Sequence, residues 1–254
     1  MQLRRNFGSS RLVRLLAGWC PVDADGTGQD IAQRLGPWLG VREAVTLHAT
    51  HHTIRSMHVA PAVPARKAVC PPVDDELQRV RAALVQAIQS SGVPVANRRH
   101  GRNAATQPDA GTATGVAFAP YRKRYADLQH HMELRVAALR AHVRAALSRA
   151  TPALAQLAAL DAAMDQMLAG RAQQLWSTVP VLLERRFEQL RRQRPQGDGG
   201  AQPQTARGLW IPQDEWLVVF GRELQDLLLA ELDERMQPVA GLVDAFNNVF
   251  KKFP

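Results

Sequence analysis

Three short stretches hold residue types at spacings that chemistry could use. In Leu47-His48-Ala49-Thr50-His51-His52, three imidazoles stand at i, i+3 and i+4. On a helix, that spacing gathers His48, His51 and His52 near one face, where zinc or another transition metal takes nitrogen ligands. The residue after His48 is alanine, so the pattern lacks the glutamate that acts as general base in HExxH metalloproteases. A polar helix surface facing solvent accounts for the trio better. No metal is assigned, and the three histidines stand as metal candidates only.

The second stretch, Asp23-Ala24-Asp25-Gly26-Thr27-Gly28, resembles the start of a calcium loop. Position 12 of such a loop requires a bidentate acid, and here it is Arg34. A turn followed by a helix cap is the better account. The third stretch, residues 118–136, packs Arg122, Lys123 and Arg124 between Tyr121 and Tyr125 and adds the pair His130-His131. Cations beside aromatics can hold phosphates and stack bases. Adjacent histidines sit ~100° apart on a helix, so this pair does not converge on a metal.

No GxSxG, GxxxxGK[ST] or GxGxxG motif occurs. No catalytic residue and no cofactor are assigned, and the chain is not read as an enzyme.

These stretches lie in a helical pattern. Apolar residues recur every three or four positions outside the Pro- and Gly-rich segments, and no strand-like alternation appears. From Tyr121 the apolar positions run 121, 125, 128, 132, 136, 139, 143 and 147, close to a heptad seam. This spacing predicts that Tyr121 and Tyr125 are core residues, with Arg122 and Lys123 flanking the seam. A second series follows Pro152 through Leu157, Leu160, Met164, Leu168, Leu175, Val179, Leu183, Phe187 and Leu190. Pro180 should kink it or open a new helix capped by Ser177 or Thr178. Near the C-terminus Trp216, Phe220, Leu224, Leu227, Leu228, Leu232 and Met236 form a stripe that Pro238 is expected to break.

The resulting organisation is all-α: long amphipathic helices, partly an antiparallel bundle or coiled-coil-like, with flexible linkers. The expected segments are an N-terminal helical part (1–58), a Pro-rich linker (59–73), a helix (74–92) and a linker (93–117). A long helical core (118–194), a linker (195–209) and acidic amphipathic helices (210–254) follow. The first part should hold a helix capped by Ser9 or Ser10, one opened by Asp30, and a third over 41–57.

The net charge of +9 points toward nucleic acid, anionic lipid or an acidic partner. It is unevenly spread: residues 195–254 hold nine acids against five cations, so the basic body can satisfy part of its charge internally or across a homo-oligomer. The arginine excess, 28 Arg beside four Lys, also reflects general residue usage with much Ala, Gly and Pro. No zinc-finger, RRM or helix-turn-helix signature accompanies the charge. No apolar run approaches the ~20 residues of a membrane span. Arg11 and Arg14 interrupt any signal-peptide core near the N-terminus. Cys20 and Cys70 form no CxxC.

Three pieces together resemble an uncharacterised proteobacterial family of helical proteins, of the "domain of unknown function" kind. They are SSRLVRLLAGW (9–19), FAPYRKRYADLQHHME (118–133) and WLVVFGRELQDLLLAELDERMQPVAGLVDAF (216–246). The resemblance implies no activity, cofactor or catalytic residue. It implies genes placed near those of motor-type ion-channel membrane proteins and OmpA-like envelope proteins, which favours an adaptor on the cytoplasmic side of an envelope machine.

The expectation is therefore a cytoplasmic, non-catalytic helical adaptor or scaffold with protein partners or a homo-oligomer, and peripheral membrane contact at most. Its interaction residues would be Arg122, Lys123 and Arg124 together with Trp216, Phe220, Leu224, Leu227 and Leu228, the last five docking on the same chain or on a partner helix. A basic nucleic-acid-associated helical protein is the alternative. Elemental analysis checks the histidine reading: the folded protein should purify without stoichiometric metal. A one-to-one metal lost on His48→Ala would overturn that expectation.

Overall fold

In a computed structural model of the chain, residues 10–19, 40–56, 73–90, 117–193 and 215–251 are described. The expected helix after Asp30, the calcium-like loop, both cysteines and residues 59–72, 93–116 and 195–209 lie outside them. Six helices and no strand make up the described residues: α1 (Arg11–Trp19), α2 (Val41–Ser56), α3 (Val73–Ser90), α4 (Ala119–Ala150), α5 (Pro152–Arg192) and α6 (Glu215–Lys251). The fold is all-α.

Local chemistry sets several helix ends. The Ser10 hydroxyl accepts the Val13 N–H at 3.5 Å, so Ser10 serves as the cap of α1. Asp74, Asp75 and Glu76 fill the first turn of α3, where acids complement the helix dipole. Val73, assigned to the preceding linker by sequence, is helical and 2% exposed, because its side chain closes the end of the core. Between α4 and α5 only Thr151 leaves helical geometry (φ −145°, ψ 156°). Its side chain accepts the Leu154 N–H at 3.3 Å, and Pro152 follows where a missing N–H costs nothing.

One non-helical residue reverses the chain, so α4 and α5 lie antiparallel. Phe187 of α5 returns to Tyr121 of α4, ring centroids 5.7 Å apart. The third long helix, α6, runs parallel to α4, as Tyr121 meets Phe220 and Gln129 meets Glu231. Beside them α3 runs antiparallel to α6, with Arg81 on Asp233 and Asp74 on Asn247. The short α1 packs on α6 and α5, and α2 on α5.

The heptad seam of α4 is the core face: Tyr121, Tyr125, Met132, Val136, Leu139, Val143 and Leu147 are buried, with Leu128 packed at its edge. At one end Phe118, Tyr121, Phe187, Trp216 and Phe220 interlock, four ring pairs lying 5.0 to 5.4 Å apart, three of them edge-on at 68° to 85°. Such contacts add ~0.5–1.5 kcal/mol per pair beyond area burial.

Three sequence expectations need correction. Pro238 does not break α6, which runs on to Lys251. Val239, Leu242 and Val243 beyond it are as buried as Leu232 and Met236 before it, and that packing offsets the ~3 kcal/mol cost of an internal proline. Of the two outcomes expected at Pro180, the new helix is the one to correct: α5 passes through as one helix. Ser177 and Thr178 do not cap a new start; their hydroxyls donate back to the Gln174 and Leu175 carbonyls at 2.7 Å. The first half of α5 also buries a different face from the one its leucines suggest. Leu154, Ala158 and Ala163 are buried, while Leu160 and Leu175 are 40% and 55% exposed. Leu154 and Ala158 share the helix face of Asp161 and Asp165, which meets α4, whereas Ala163 lies in line with Gln156, whose amide donates to the Ile54 carbonyl of α2 at 3.2 Å.

Truncation should separate these positions. Phe187→Ala, at the centre of the aromatic end, is expected to cost ~3–5 kcal/mol in a denaturant titration. Leu160→Ala should cost less than about 1 kcal/mol.

Candidate functional site

Among the described helices α6 carries the most acids, and much of its surface is buried. The Glu231 side chain is fully buried. Its Oε2 accepts the Tyr125 hydroxyl at 2.6 Å, and its Oε1 accepts Gln129 Nε2 at 3.1 Å and Arg235 Nε at 2.9 Å. Gln129 Nε2 also reaches the Tyr125 oxygen at 3.1 Å. The Arg235 guanidinium in turn lies over the Trp176 ring, 4.4 Å from its centroid. One network thus joins α4, α5 and α6. Burial first, and the Glu231 charge and hydrogen bond next, push the Tyr125 hydroxyl far above the ordinary phenol range.

Two further clamps close the bundle. Arg140 grips both Asp161 oxygens (2.5 and 2.9 Å) and Asp165 (2.6 Å). Arg144 reaches Asp161 at 2.6 Å and Asp165 at 2.9 Å. Burial alone would raise Asp161; the bonds and charges of the two arginines outweigh it and hold its carboxyl below the usual range. Arg186 binds Glu223 in bidentate fashion at 2.5 and 2.7 Å, a hydrogen-bonded pairing that raises the guanidinium. No buried side-chain polar atom among the described residues lacks a partner.

The residues singled out by sequence divide into two sets. Phe220, Leu224, Leu227 and Leu228 are buried in the chain's own core, and Trp216 is half-buried at 5.1 Å from Phe187. Of the two occupants left open for this stripe, the scaffold of the same chain is the one present. Arg122 and Lys123 are exposed and make no ion pair among the described residues, while Arg124 is half-buried and lowered mainly by that burial. They emerge directly beside Tyr121, on the rigid aromatic end of the bundle. His48, His51 and His52 are exposed on α2, and no three His, Cys, Asp or Glu among the described residues converge as a metal cage would need.

Comparison with known families places the chain. A family model matches residues 1–248. The chain belongs to the family described as "Protein of unknown function (DUF3348)". No curated protein and no solved structure matches it. The DUF3348 match spans all six helices up to the final residues of α6. The site of this DUF3348 chain thus rests on its own geometry.

Sequence reasoning missed the polar locks. Arg140/Arg144 and Asp161/Asp165 are each an i,i+4 pair, and the two pairs face each other across the Thr151 turn. The spacing within each pair is visible in the sequence, but not that one pair meets the other. Glu231 had one signal, a charge interrupting Leu227-Leu228-Leu229-Ala230 before Leu232. Its partners in α4 lie more than 100 residues away.

Tyr125→Phe removes one donor from a buried carboxylate and should cost ~1–3 kcal/mol of stability. The native state keeps the Tyr125 proton more tightly than the unfolded chain. This contribution is therefore complete below the unfolded pKa of ~10 and is lost as pH rises above it. Tyrosinate absorbance should show Tyr125 silent until alkaline unfolding. Asp161 has the opposite sign: its contribution is complete above ~4 and is lost as pH falls below that. Asp161→Asn should flatten the acid limb of a pH–stability curve.

Proposed function

We propose that this chain is a non-catalytic helical scaffold that recruits an acidic protein partner, on the cytoplasmic side of an envelope-associated assembly. One observation carries the reading: Arg122 and Lys123 stand exposed and without an ion-pair partner among the described residues, on the end of the bundle held by the aromatic cluster. A cationic corner on a fixed framework suits recognition of a complementary acidic surface, with charge setting specificity and on-rate. The interior supports the same reading, since its polar groups join helix to helix and hold the frame. No helix among the described residues is long and apolar enough to cross a membrane, so envelope association would run through a partner. The envelope setting rests on the family resemblance alone.

Affinity capture with cross-linking tests this. The wild-type chain should retain a defined protein, and Arg122→Glu with Lys123→Glu should weaken that binding about tenfold or more with helicity unchanged. Equal retention by both forms would overturn the assignment of the surface. Duplex DNA bound at micromolar affinity, with steep loss on adding salt, would put nucleic-acid association in its place.

A further inference from the structure

The last three turns of α5 carry two opposite faces. Leu183, Phe187 and Leu190 are buried against α4 and α6. The opposite face presents Val181, Arg185, Glu188 and Arg192, separated by steps of four, three and four. That is the spacing of a coiled-coil seam, yet no helix among the described residues covers it. Val181 is 49% exposed, Arg185 and Arg192 are exposed, and the Glu188 side chain is 40% exposed. Arg185 and Arg192 make no ion pair among the described residues. Glu188 has only Arg191 of its own helix, at 3.3 Å. Such an exposed pair is worth a few tenths of a kcal/mol and is readily exchanged.

The order of these four residues is self-complementary. Lay a second copy of the face antiparallel across the first, with the two-fold axis between residues 186 and 187. Arg185 then stands opposite the partner's Glu188, and Glu188 opposite the partner's Arg185. Val181 meets the aliphatic stem of the partner's Arg192, and the reverse. On the flank, Glu184 meets the partner's Gln189. All four seam positions are paired and no like charges face each other. Moving the axis to Glu188 sets that carboxylate against its own copy; moving it half a residue further sets Arg185 against the partner's Arg192. A two-fold interface must present one surface that matches itself, and this face does so in one register. Polyanions fit it less well, because Glu184 and Glu188 are interleaved with the arginines and would repel phosphate.

We infer that two copies of this chain associate antiparallel through the outer face of α5 over residues 181–192, Arg185 of each pairing with the partner's Glu188. The contact runs about 18 Å along the helix, at 1.5 Å per residue. It belongs to the small, transient class of interfaces, with a dissociation constant on the order of 100 µM. It leaves Arg122 and Lys123 to other contacts, so it stands or falls apart from the recruitment of a different protein.

Sedimentation velocity on the purified full chain, from about 10 to about 500 µM, reads the association directly. The wild type should shift toward the dimer across that range. Arg185→Glu alone sets acid against acid twice, and Glu188→Arg alone sets cation against cation twice, so each should remain monomeric with unchanged helicity. An equimolar mixture of the two variants restores opposite charges at both contacts and should recover the dimer. The double swap in one chain should recover it too. A wild type that stays monomeric throughout, or two variants that fail to rescue each other, would overturn the inference.

Discussion

Glu231 is a carboxylate with no access to water, and three helices are arranged around it. An ion in that position is costly unless every lone pair is engaged. The chain meets that demand with the Tyr125 hydroxyl, the Gln129 amide and the Arg235 guanidinium, and spreads the cation over the Trp176 ring. Apolar seams tolerate sliding by a heptad, since one leucine replaces another. Hydrogen bonds of 2.6 to 3.1 Å do not. The axial position of α6 against α4 and α5 therefore follows from one side chain, and the aromatic end and the Arg186–Glu223 clamp align with it.

The uneven charge of the chain has the same origin. The acids of α6 are spent on its neighbours: Asp226 on Arg11, Asp233 on Arg81 and Glu223 on Arg186. Glu234 takes the Ser10 hydroxyl. The exposed pairs among these contribute little each. Together they assign each surrounding helix a place on a central one. Among the cations left without such a partner in the described residues, Arg122 and Lys123 lie where α4 opens and Arg185 and Arg192 where α5 ends.

The sequence was informative wherever a single period decided the outcome. Residues 121 to 147 pointed to one buried face, and that face is the core. The prediction failed where the apolar residues outnumbered the places available. Leu160 and Leu175 continue the leucine series of α5, but the buried places there go to Leu154, Ala158 and Ala163. It failed again at Pro238, where local propensity is outweighed by burial on both sides of the proline. The polar locks were hidden because spacing rules operate within a helix, whereas these bonds cross between helices. His48, His51 and His52 are exposed on α2, as the solvent-facing helix surface preferred for them requires.

The single-residue joint at Thr151 also bears on the order in which the chain acquires its shape. The hairpin of α4 and α5 closes through partners 17 to 25 residues apart, whereas α6 must return across more than 100 residues to reach the same seam. Short loop closures are fast and cost little entropy; long ones come later. A nascent chain thus holds a zipped hairpin with Tyr125 still open to water and half of its seam bare. Until residue 231 arrives, that open groove is the part of the molecule most in need of shielding from its neighbours.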